Sequence, residues 1–131
     1  MKILNLTIIA FTAFTLFNSC SGGSTPTVPV SSYAGGWAGT YKGASDSGVI
    51  NINVLGDGSV NGGTISTITT LGFYSMFSGS VNSSGQFHAI SGTAGPAFTY
   101  SGTMMPTTVN GTWSRTNNGA TSFGTWTAVK Q

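Results

Sequence analysis

Gly48-Val49-Ile50-Asn51-Ile52-Asn53-Val54-Leu55 is the stretch that decides the fold. Ile50, Ile52 and Val54 alternate with Asn51 and Asn53, and a period of two puts the apolar side chains on one face of a strand and the amides on the other. One face is buried and the other is wet. Gly56-Asp57-Gly58 follows as a short turn signal, after which strand-like sequence resumes.

Outward from there, Gly, Asn, Asp or Pro punctuates the chain about every eight to twelve residues from Tyr33 onward, the spacing of an all-β sandwich or barrel. The pattern predicts eight strands: Gly36 to Lys42, Gly48 to Leu55, Val60 to Ser66, Phe73 to Val81, Gln86 to Ser91, Ala97 to Met104, Val109 to Arg115 and Thr121 to Lys130. Asn82-Ser83-Ser84-Gly85 and Asn117-Asn118-Gly119 supply further turns, and Pro96 and Pro106 fall between runs, where a missing N–H harms no ladder. Every connection is too short for a crossover helix, so neighbouring strands are predicted to be antiparallel.

Composition agrees. Of 131 residues only 5% are charged, against roughly 25% in ordinary domains. Gly, Ser, Thr and Asn fill the space, and all are poor helix formers. The dispersed aromatics, three of them Trp, provide the apolar area that a disordered chain lacks. Trp37, Gly39 and Tyr41 share one strand face, as do Gly111 and Trp113, and such large-beside-small alternation fills a narrow interior. The expectation is all-β: a single small antiparallel up-and-down β-barrel of about eight strands over residues 33–131. A two-sheet β-sandwich fits the same strand count.

Gly35-Gly36-Trp37 at the first strand resembles the opening Gly-x-Trp of the calycin barrels, the lipocalin and avidin relatives. That resemblance implies an open mouth ringed by the connections around 43–47, 67–72, 92–95 and 116–120. In lipocalins it also implies a basic residue packed on the Trp, for which Lys130 is the counterpart.

At the other extreme, Lys2 precedes an apolar run from Ile3 to Phe17. That run suits a signal h-region and is short of the roughly 20 residues of a membrane span. Leu16-Phe17-Asn18-Ser19-Cys20 follows and resembles the looser form of the lipobox of bacterial lipoproteins. The resemblance implies that residues 1–20 are a signal ending at a lipidated Cys20. It also implies membrane attachment through that lipid and a place in the cell envelope, at the outer membrane, with the periplasmic or surface side open. Cleavage by an ordinary peptidase and retention as an uncleaved anchor are the competing readings. Residues 21–32, with Gly22, Gly23, Pro26 and Pro29, read as a flexible tether, reaching at most about 40 Å.

Chemistry is sparse. After Cys20, Lys42, Arg115 and Lys130 face Asp46 and Asp57, a side-chain balance of plus one, so no basic stripe serves a nucleic-acid partner. His88, the only histidine, falls by alternation on the outer face between Phe87 and Ala89. Asp46 and Asp57 bracket the second strand, which places them roughly 30 Å apart, and each is expected to serve its own turn. These residues form no Ser-His-Asp triad, no carboxylate pair and no metal ligand set. The expectation is no enzyme and no cofactor.

The aromatics are what remains. Tyr41, Phe98, Tyr100 and Trp113 fall toward the predicted mouth, with Leu71, Phe73 and Tyr74 as an apolar lip, and together they are candidates to hold a small apolar or sugar-like ligand. More often such rings simply fill the core of a small barrel. Two functions therefore stand: a small-ligand binding barrel, or a structural or interaction lipoprotein with a filled core. A membrane-spanning barrel does not suit strands this short with an outer face of Ser, Thr, Asn and Gln.

Overall fold

Eight strands follow a single 3-10 turn, Val30–Tyr33: β1 Gly35–Gly43, β2 Ser47–Val54, β3 Ser59–Ser66, β4 Tyr74–Val81, β5 Gln86–Ser91, β6 Phe98–Met104, β7 Thr108–Asn117 and β8 Ala120–Lys130. The computed structural model describes residues 29–68, 74–92 and 97–131. Each strand pairs antiparallel with the next, and β8 pairs back onto β1, so the sheet closes as an up-and-down barrel. The sandwich alternative is thereby removed. The eight strands match those predicted to within two residues at most ends, and Phe73, predicted to start the fourth, lies outside the described residues.

Alternation carries through the closed sheet. Ile50, Ile52 and Val54 are buried while Asn51 and Asn53 are exposed. The inside is apolar and aromatic and the outside carries Ser, Thr and Asn, the reverse of a membrane-spanning barrel with a polar lumen.

The two buried indoles of the β7–β8 pair show how so narrow an interior holds large rings. Trp113 lies against the cross-strand pair Gly43 and Gly124, and Trp126 against Gly102 and Gly111. A Cβ built on Gly124 would stand 2.6 Å from Trp113 Nε1, and one on Gly111 would stand 2.7 Å from Trp126 Nε1. Paired glycines thus form flat beds for the indoles. Each indole N–H is also satisfied by backbone beside its bed: Trp113 donates to Lys42 O at 3.3 Å, and Trp126 to Ser101 O and Thr112 O at 3.1 Å.

Turn chemistry fixes the hairpins. Asn118 and Gly119 both have positive φ, 49° and 81°, as a two-residue type I′ connection between β7 and β8 requires. Asp57 accepts from Ser59 N at 2.8 Å, and Asn82 Oδ1 accepts from Ser84 N and Gln86 N at 3.0 Å. The Asp57 and Asn82 turns lie at the end of the barrel where the N-terminal segment enters, and the Asn118-Gly119 turn lies at the opposite end.

That entry end is closed by the 3-10 turn. Tyr33 is buried beneath it and Val30 packs against the core. Trp37 Nε1 donates to Tyr33 O at 2.9 Å, and Lys130 Nζ donates to Ser32 O at 2.8 Å while standing 5.9 Å from the Trp37 ring. The basic residue on the opening Trp, implied by the calycin resemblance, is therefore present, and the closed eight-strand barrel is consistent with that class. Val30 to Ser32, read from sequence as the end of a tether, form part of this plug.

Candidate functional site

The predicted mouth lies at the opposite end, between β1 and β2, β3 and β4, β5 and β6, and β7 and β8. Of its candidate residues, Tyr41, Phe98, Tyr100 and Trp113 are brought together there, but into one another. Tyr41 meets Trp113 edge-on at 5.9 Å, Trp113 meets Phe98 at 5.6 Å, Phe98 stacks on Tyr100 at 5.9 Å, and Tyr100 reaches Phe77 at 5.0 Å. All four candidates are at most 2% exposed. A cavity that held even one water would leave accessible area on its walls, and these rings have almost none. They fill the interior at this level.

The proposed lip divides. Leu71 and Phe73 lie outside the described residues. Tyr74 is 56% exposed on the outer face of β4, with its phenol against Gly63 of β3.

A polar cluster that the sequence reading missed sits on top of the rings. Asp46, expected to serve its own turn, is instead buried at the centre of contacts from three strands. Its Oδ1 accepts from Ser66 Oγ at 2.6 Å and Tyr41 Oη at 3.2 Å, and its Oδ2 lies 3.8 Å from Arg115 Nη1. Arg115 also lies over the Phe98 ring, 5.0 Å from its centroid. A buried carboxylate needs such company, since leaving it unpaired costs several kcal/mol, roughly 3–5. Burial first and the Asp46 carboxylate second push the Tyr41 hydroxyl up to about 12. Tyr100 is pushed up as well, chiefly by burial, and its Oη lies 3.3 Å from Thr64 Oγ1. Both phenols therefore stay neutral and act as hydrogen-bonding walls.

Chemically this cluster is a bolt. Ser66 spends its proton on Asp46, and the single histidine is far from it in the sheet: His88 is exposed on β5, between Ser80 of β4 and Ser101 of β6. Asp57 lies at the entry end, fully exposed, its carboxyl held below the usual range by Ser59. Among the described residues no group of three His, Cys, Asp or Glu is placed to hold a metal ion. Arg115 keeps some freedom, because its side chain is 23% exposed and its buried Nε has no hydrogen-bond partner among the described residues.

The one signal that could have found the cluster is the set of residues just past the ends of the aromatic alternation, Asp46 before β2, Ser66 ending β3 and Arg115 near the end of β7. Only barrel closure shows that they meet. No protein-family model matches the chain, and no curated protein does either.

Proposed function

We propose that this chain is an exported, lipid-anchored protein of the bacterial envelope, probed by its neighbours through the outside of a filled barrel: a non-enzymatic structural or interaction lipoprotein. The observation that carries this is the interior. Trp37, Trp113 and Trp126 are each about 1% exposed and run through the space where a small-ligand barrel keeps its cavity. What remains for recognition is the exterior, and the lipobox-like segment ending at Cys20 supplies the attachment. Membrane fractionation tests the anchor: wild type is expected in the membrane pellet and Cys20→Ala in the soluble fraction. Equal partitioning of the two proteins would refute it.

A second reading keeps a small apolar or sugar-like ligand but moves it from the interior to the far rim. It is favoured by Arg115, whose side chain is partly open to solvent near that end and whose Nε has no hydrogen-bond partner among the described residues. Arg115→Lys preserves the charge and removes the planar donor set. If the rim binds a ligand, this substitution abolishes binding without unfolding the barrel.

A further inference from the structure

The outer face of β2, β3 and β4 has a polarity gradient. Three cross-strand rows follow one another along it. Val49, Ile65 and Tyr74 form the first, Asn51, Gly63 and Met76 the second, and Asn53, Asn61 and Ser78 the third. The first row is apolar and exposed, the last is amide and hydroxyl, and Gly63 lies between as a floor with no side chain. Six of these residues, with Asn51 and Asn53 on one side and Tyr74 and Met76 on the other, line a groove of about 230 Å³.

Tyr74 is held in place there. Its hydroxyl and two ring carbons lie 2.7–3.0 Å from where a Cβ on Gly63 would be, so the ring is seated on the glycine backbone and Gly63 is buried beneath it. More than half of Tyr74 nonetheless stays open to solvent, as does Met76 at 64%. An immobilised, half-open ring beside amides that both donate and accept is the combination that recognises a molecule with an apolar C–H face and a hydroxyl rim. Among the described residues no Asp, Glu, His, Lys or Arg lines the groove. Its volume is below the roughly 300–1,000 Å³ of drug-sized sites, which suits one ring. By contrast, the larger furrow over β5 to β7, about 440 Å³, is lined outside by Gln86, Ser101, Thr103, Asn110 and Thr112 and presents no exposed ring.

We propose that the outer groove around Gly63 binds a single ring of a neutral saccharide, its C–H face on Tyr74 and Met76 and its hydroxyls on Asn51, Asn53 and Asn61. This rests on the reading of the barrel as a scaffold that works through its exterior, and it names the class of ligand.

The test is an NMR titration of the ¹⁵N-labelled exported protein with three neutral probes: maltotriose, cellotriose and the N-acetylglucosamine trimer. The expected result is that at least one probe shifts the Asn51, Asn53 and Asn61 side-chain amides and the Tyr74 backbone, with interior amides unmoved. Tyr74→Ala is expected to weaken that binding about tenfold. Because Tyr74 also covers Gly63, Asn51→Ala is the companion variant: it leaves the ring in place and is expected to weaken binding with an unchanged melting temperature. No shift with any of the three probes, or full binding by both variants, overturns the proposal. Shifts confined to Tyr41, Trp113 and their neighbours would instead refute the filled-scaffold reading, so the two failures are distinguishable.

Discussion

The two ends of this barrel are closed by different physics. At the entry end, main chain closes the opening: the 3-10 turn lies across it, and the side chains of Trp37 and Lys130 bond to its carbonyls. At the far end, among the described residues, the closure is made by side chains, with Asp46 drawing Tyr41, Ser66 and Arg115 over the aromatic stack. A main-chain plug uses neutral acceptors and a single cation, so no carboxylate holds it. The side-chain bolt depends on one carboxylate, and its loss leaves a cation over Phe98 with nothing opposite. Beneath that bolt lie the indoles on their glycine beds, Trp113 within the far-end aromatic stack itself.

These indoles set the largest expected effect. Trp113→Ala removes a ring buried against two glycines that cannot fill the hole, and a loss of about 3–5 kcal/mol is expected in urea denaturation. At the far end, Asp46→Ala is expected to cost about 1–3 kcal/mol, below the full value for a buried pair because Arg115 is partly solvated. A cost equal to that of Lys130→Ala would erase the contrast between the ends. At the entry end, Lys130→Ala should cost about 1 kcal/mol, from one charge-assisted hydrogen bond and a cation–π contact at 5.9 Å.

Alkali probes the far end without mutation. Tyr41 has its folded pKa raised above the ordinary value near 10, to about 12, so the unfolded chain loses its proton first. Stability from this group is intact below pH 10 and falls between pH 10 and about 12. Tyr41→Phe is expected to flatten that slope, with Tyr100 accounting for part of the remainder. Smallest of all, His88→Ala on the outer face is expected to change stability by no more than about 0.5 kcal/mol.

Most of the architecture was legible because the period-two pattern of Ile50, Ile52 and Val54, the Asn118-Gly119 turn and the Gly-x-Trp opening are local signals. Even the Lys130 contact on Trp37 followed, through resemblance. The far end was not legible in the same way. Ser66 and Arg115 lie 20 and 69 positions from Asp46 in the chain, and nothing local distinguishes an aspartate serving its own turn from one that three strands converge on. The roles of Tyr41, Phe98, Tyr100 and Trp113 were undecided for a related reason. Alternation says that these rings point inward, but whether they line a cavity or fill it depends on the glycines opposite, and hence on register.

Native mass spectrometry of the protein purified from its own host in mild detergent reads out both the acylated anchor and the filled barrel. The predicted result is a chain beginning at Cys20 that carries the mass of acyl groups and retains no small molecule. An unmodified Cys20, or a ligand retained one to one and lost when the barrel unfolds, would contradict it.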